Sequence, residues 1–118
     1  MTKKEVYEAC LQATLNFPKM TEEEINEGCC FDWATIVFDL VEGSKIAGHN
    51  IGCGHCWVEY RGLCFDSETP HGVRNWKHLP FWVRIRLEVG EHEWKDGTRG
   101  LERSAKSWYN GRSQRRAK

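Results

Sequence analysis

Gly28-Cys-Cys-Phe-Asp-Trp-Ala-Thr-Ile-Val-Phe-Asp-Leu-Val41 decides how this chain folds. Phe31, Trp33, Ala34, Ile36, Val37, Phe38, Leu40 and Val41 make it apolar on every side, the mark of a helix buried in the centre of a domain rather than laid on its surface. Its β-branched residues would also suit a strand. Its length and the closing Glu42-Gly43 favour a helix.

Downstream, Gly54-His-Cys-Trp-Val-Glu-Tyr60 and Leu63-Cys-Phe-Asp66 flank Arg61-Gly62. Two short aromatic and β-branched runs about a two-residue turn containing Gly read as a β-hairpin. Strand periodicity puts His55, Trp57 and Glu59 on one face and Cys56, Val58 and Tyr60 on the other. Across the turn, residue 60 pairs with 63, 59 with 64 and 57 with 66. Asp66 then shares a face with His55, one diagonal step away.

Upstream, residues 3–16 read as an amphipathic helix carrying Val6, Cys10 and Ala13, stopped by Pro18. Thr21-Glu-Glu-Glu24 is a capping box opening a short helical turn. Residues 44–54 read as a Gly-rich loop and 67–80 as an ordered loop. Residues 81–89 alternate cleanly, with Phe81, Val83, Ile85, Leu87 and Val89 on one side, and predict a half-buried antiparallel strand. A turn region follows Gly90, and then a short helix near residues 99–109.

A chain of 118 residues accommodates one domain. A hydrophobic fraction of 40% with 29% charged residues excludes wholesale disorder. No apolar run is long enough to span a membrane. The N-terminal residues lack the apolar core of a signal peptide, so a cytoplasmic location is expected. Formal net charge is zero but unevenly spread: residues 99–118 hold seven Lys/Arg against one Glu, and the first 98 hold ten against sixteen acidic groups. The domain is taken as residues 1–109. Residues 110–118 read as a basic, mobile tail, able to contact nucleic acid or an acidic protein partner.

Six cysteines, at 10, 29, 30, 53, 56 and 64, are expected as thiols in a reducing compartment. Three chemistries compete for them. Cys53-Gly-His-Cys56 has the spacing of a redox motif, but such a motif needs its first Cys at a helix N-terminus, and here a strand follows. Zinc would need Cys53, Cys56 and Cys64 with His49, His55, His71 or the Cys29/Cys30 pair. There is only one Cys-x-x-Cys knuckle, and His55 and Cys56 point to opposite faces. A small zinc-binding or inactive interaction module therefore stands as the alternative. The third chemistry is nucleophilic. A thiol at the start of a buried helix meets unpaired N–H groups and a positive dipole end, and a base held by a carboxylate is near to hand in His55 and Asp66.

Gly28-Cys-Cys-Phe-Asp-Trp-Ala34 resembles the Gly-x-Cys-x-x-aromatic-Ala nucleophile segment of the transglutaminase-like cysteine enzymes. His55-Cys-Trp-Val-Glu59 is similar to that family's His-x-Trp-x-Glu strand, and Phe65-Asp-Ser-Glu-Thr-Pro70 to the strand end that carries its Asp. The matches span residues 28–70 and keep the family order. The resemblance implies an α+β, papain-like core, with a central helix carrying Cys packed on a small antiparallel sheet carrying His and Asp. It implies Cys30 as nucleophile, His55 as base and Asp66 as orienter, acting on a protein or peptide amide through a thioester, without metal or cofactor. With no amine-binding feature visible, hydrolysis is expected over amine transfer. For the oxyanion the backbone N–H of Cys30 is the expected donor, with Asn26 a second candidate. The segment from Cys30 to His55 is shorter than in larger members, and a second Cys beside the nucleophile is unusual.

Overall fold

Thr2 and Thr21 open the first two helices in the same way. Each hydroxyl accepts the N–H of a Glu three residues on, and that Glu's carboxylate accepts the Thr N–H in return. The resulting helices are α1 (Lys3–Thr14) and α2 (Glu22–Gly28). A single residue, Cys29, separates α2 from α3 (Cys30–Leu40), so the apolar run is a helix as expected, but only one face of it is buried: Trp33, Ala34, Val37 and Phe38 point inward, while Phe31 and Leu40 are exposed. This is a computed structural model, and it describes residues 1–51 and 53–101 together with the backbone of 107–109.

Four strands form an antiparallel sheet in the order β3-β2-β1-β4: β1 (Lys45–Asn50), β2 (Gly54–Tyr60), β3 (Leu63–Phe65) and β4 (Ser107–Tyr109). The β2–β3 hairpin has the expected register, with Tyr60 opposite Leu63 and Glu59 opposite Cys64. Arg61 and Gly62 both have positive φ (51° and 78°), which matches the twist of a two-residue hairpin turn. A 3-10 turn (Trp76–His78) leads into α4 (Pro80–Val89) and α5 (Glu91–Gly97). The chain is therefore α+β.

Each face of the sheet has its own core. On one face Ile46, Cys56, Val58 and Phe65 pack with α1 and α3 through Cys10, Trp33, Val37 and Phe38. The Trp33 indole N–H donates to Thr14 Oγ1 at 3.0 Å and ties the two helices together. On the other face Ala47, Trp57 and Cys64 pack with Trp76, Leu79, Phe81, Trp82 and Trp94. Strand β2 is covered on both sides, so His55, Cys56, Trp57 and Val58 are all buried.

Four further expectations are corrected. Residues 81–89 form a helix. Phe81, Trp82, Ile85 and Val89 face the core, while Val83 (43% exposed) and Leu87 (80%) face outward. The same residues satisfy both periods, and the deciding signal is Pro80, which lacks an N–H and sits at the first helical position. Within the expected 44–54 loop, residues 45–50 are strand β1, whose Ile46 and Ala47 are fully buried. The expected turn region after Gly90 is helix α5, anchored by buried Trp94. Residues 107–109, expected at the end of a helix, pair as β4 with β1. Aromatic residues such as Trp108 and Tyr109 suit that strand. The rest of the expected helix over 102–106 and the basic tail 110–118 lie outside the described residues.

No helix among the described residues is long and apolar enough to cross a membrane.

Candidate active site

His55 is the second residue of β2, and Asp66 follows the last residue of β3. The hairpin register brings them together: His55 Nε2 lies 3.0 Å from Asp66 Oδ2, and both side chains are buried. The other carboxylate oxygen, Oδ1, accepts the backbone N–H of Glu68 at 3.1 Å. Asp66 is thus held on both oxygens.

A further layer fixes this turn. The single Ser67 O–H is shared between the Glu22 carbonyl (2.6 Å from Oγ) and Asn26 Oδ1 (2.9 Å). Asn26 Nδ2 donates to Glu68 Oε1 (2.8 Å), and the Arg84 guanidinium grips both Glu68 oxygens at 2.7 and 2.9 Å. Asn26, weighed above as an oxyanion donor, is buried and engaged in this network. It joins α2 to the turn carrying Asp66. From the other side the Phe81 ring stacks on the imidazole at 4.3 Å and 21°.

Cys30 is the first residue of α3 and is partly exposed. Its position gives the sulfur the positive end of the helix dipole. The Cys56 thiol, buried on the neighbouring strand, donates to the Cys30 sulfur across 3.6 Å. That contact and the neighbouring His55 ring outweigh burial and pull the Cys30 thiol from the usual 9.0 down to about 4. Cys56 moves the other way, held protonated by the Cys30 sulfur it donates to and by burial. Burial also raises Cys10 and Cys64 to about 12, and raises Cys53.

Burial pulls the His55 ring toward its neutral form. The Asp66 hydrogen bond and the Cys30 sulfur more than offset this, so its pKa is raised above 6.5. Nε2 faces Asp66, which leaves Nδ1 for the sulfur. Nδ1 is buried and makes no hydrogen bond among the described residues, so a direct bond to the thiol is not made here. Such contacts often tighten only when substrate is bound. His55 is thus hydrogen-bonded to Asp66, and Cys30 lies close enough to the ring for the two to shift each other's titration.

The alternative ligands are not gathered. Cys56 belongs to the core against α3, whereas Cys53 and Cys64 pack in the core on the opposite face. His49 packs on Trp76 (4.5 Å) and His71 stacks on Tyr7 (4.4 Å). Among the described residues no group of three or more His, Cys, Asp or Glu side chains is arranged to hold a metal.

The sequence reading missed the Cys56 contact. Opposite faces separate Cys56 from His55 along the strand, but at the strand's end both reach the helix terminus. It also left Glu59 without a role. Its carboxylate accepts the Trp57 indole N–H at 3.1 Å and lies 3.4 Å from the Lys45 ammonium. That satisfies a polar atom in a buried indole and explains why Trp and Glu alternate on this strand. Phe81 and Arg84 were hidden by the strand reading of residues 81–89.

Comparison with family models, with curated proteins and with solved structures gives no match to this chain.

Proposed function

We propose that this chain is a cysteine-nucleophile acyl-transfer enzyme that acts on a peptide bond or a Gln-type carboxamide through a thioester on Cys30. The observation that carries the reading is the buried His55–Asp66 pair at 3.0 Å beside an acidified thiol at a helix N-terminus. A structural His in a core needs neither a carboxylate on its far nitrogen nor a thiolate beside it. The segments resembling the transglutaminase-like enzymes, and a helix carrying Cys packed on a sheet carrying His, support a papain-like core.

In this reading the Cys30 thiolate attacks the amide carbonyl carbon and forms a C–S bond. The carbonyl oxygen takes up negative charge, for which the backbone N–H of Cys30 is the expected donor. As the C–N bond breaks, the His55 imidazolium gives its proton to the leaving amine. Asp66 keeps the ring oriented and stabilises its charged form. Neutral His55 then takes a proton from water as the oxygen attacks the thioester. The C–S bond breaks, and thiolate and imidazolium are restored. Water is the favoured acceptor because it needs no binding site of its own.

Incubation with a pool of Gln-containing and Asn-containing peptides plus hydroxylamine tests this, since hydroxylamine captures a thioester as a hydroxamate. Hydroxamates or hydrolysed amides should form with the wild type and be absent with Cys30→Ala. Equal product from Cys30→Ala would remove Cys30 from the chemistry.

A further inference from the structure

The Cys56 thiol is not needed for the steps above, yet it lies 3.6 Å from the Cys30 sulfur. The geometry points to a second chemistry at this place: Cys30 and Cys56 form a dithiol that a hydroperoxide oxidises to a disulfide, with Cys30 attacking and Cys56 resolving. This does not rest on the amide reading, because it requires only the two thiols, a proton from the His55 ring and a peroxide.

Exposure and charge assign the roles, and the placement of the other thiols excludes them. Cys30 is partly exposed and charged, which is what attack on a peroxide requires. Cys56 is 1% exposed, so peroxide does not reach it first. The other nearby candidate is turned elsewhere, since Cys29 Sγ faces Met20 Sδ at 4.0 Å. Cys10 and Cys64 are buried in separate places with their thiols protonated.

The steps balance. The Cys30 thiolate attacks one peroxide oxygen, and the O–O bond breaks. Cys30 becomes a sulfenic acid, and the departing alkoxide or hydroxide takes its proton from the His55 imidazolium. At that moment the main cause holding Cys56 protonated, its hydrogen bond to the Cys30 thiolate, is gone. The Cys56 sulfur then attacks the Cys30 sulfur. The S–O bond breaks, and hydroxide leaves with the Cys56 proton as water. Overall, two thiols and one hydroperoxide give one disulfide, one alcohol (or water) and one water. The sulfurs must close from 3.6 Å to a bond of about 2.05 Å. Cys30 starts its helix, so a small side-chain rotation there disturbs little packing. Oxidation would block the nucleophile reversibly, and a thiol reductant would restore it.

The test is hydrogen peroxide added to the full chain, followed by acid quench, blocking of free thiols and non-reducing peptide mapping. One cross-linked peptide pair joining Cys30 to Cys56 is expected, with Cys30 alkylation lost and then recovered with dithiothreitol. Cys56→Ser keeps a hydrogen-bond donor but cannot resolve. In that variant Cys30 should be trapped by dimedone as sulfenic acid and pass on to sulfinic acid, which dithiothreitol does not reverse. Wild-type Cys30 ending as sulfinic acid without the cross-link, or joined to Cys29, would overturn the proposal. The wild-type map decides this even if Cys56→Ser fails to fold. Because it is read on the protein itself, the result is separate from success or failure of amide turnover.

Discussion

At the scale of single residues, reactivity is set by which thiol ionises. An ordinary thiol loses about tenfold in thiolate for each pH unit below roughly 8.5. Cys30, with its pKa lowered to about 4, is ionised at neutral pH and stays so as acid is added until the pH nears that value. The rate of Cys30 alkylation by iodoacetamide should therefore stay nearly flat from neutral pH down toward pH 5 and fall only below it. Cys10 and Cys64 should react only in alkali, if at all. Peptide-resolved labelling checks both. His55→Ala should return Cys30 toward an ordinary pH profile, since the imidazolium is one of the causes of its acidity. Asp66 acts one step further back. Asp66→Asn keeps the shape but offers an amide where the ring expects a carboxylate, and in a triad such a change costs several orders of magnitude in turnover. A circular dichroism spectrum like the wild type, together with that loss, is the expected outcome. Near-wild-type turnover would take Asp66 out of the mechanism.

At the scale of elements, the turn after β3 matters most, because it carries Asp66. Gly72 closes this segment with φ of +80°. A Cβ there would meet the Phe65 ring at 2.8 and 2.9 Å, the ring of the residue just before Asp66. Gly72→Ala adds backbone strain to that clash, and each is of order 1 kcal/mol. Thermal melting should show a loss of several degrees. An unchanged melt would mean that the segment adjusts freely. The elements also show what could be read without coordinates. Helix α3 and the β2–β3 hairpin announce themselves through an apolar run and a two-residue turn, and the register of the hairpin fixes the pairing of His55 with Asp66. Helix α4 does not, because Phe81, Val83, Ile85, Leu87 and Val89 fit a period of two while Phe81, Trp82, Ile85 and Val89 fit a helix, and only Pro80 at its start tells the two apart. Strand β1 is hidden by its composition. Lys45, Gly48, His49 and Asn50 have little strand preference of their own, and the strand exists because β2 pairs with it. The Cys30–Cys56 contact is tertiary and has no local signal.

At the scale of the whole molecule, one sheet with a core on each face places the candidate groups between two layers. Cys30 comes from the α1–α3 side, while His55 rests against Phe81 on the other. Backbone pairing of Ser107 with Ala47 and of Tyr109 with Ile46 closes the sheet beside β1. A chain stopped at residue 101 would leave that edge unpaired next to two fully buried residues. Its melting temperature should drop by about 4–8 °C for each 1 kcal/mol lost. No change would place β4 outside the cooperative unit.

The most direct single measurement is the mass of the protein, quenched in acid during turnover of an amide identified by the hydroxylamine screen. Acid preserves a thioester, and peptide mapping locates it. The expected result is a transient acyl group on Cys30 that appears before product, decays in water, and is absent from Cys30→Ala and much slower to form in His55→Ala. Turnover with no acyl group on any thiol, or with the acyl group on another cysteine, would contradict a Cys30–His55–Asp66 mechanism.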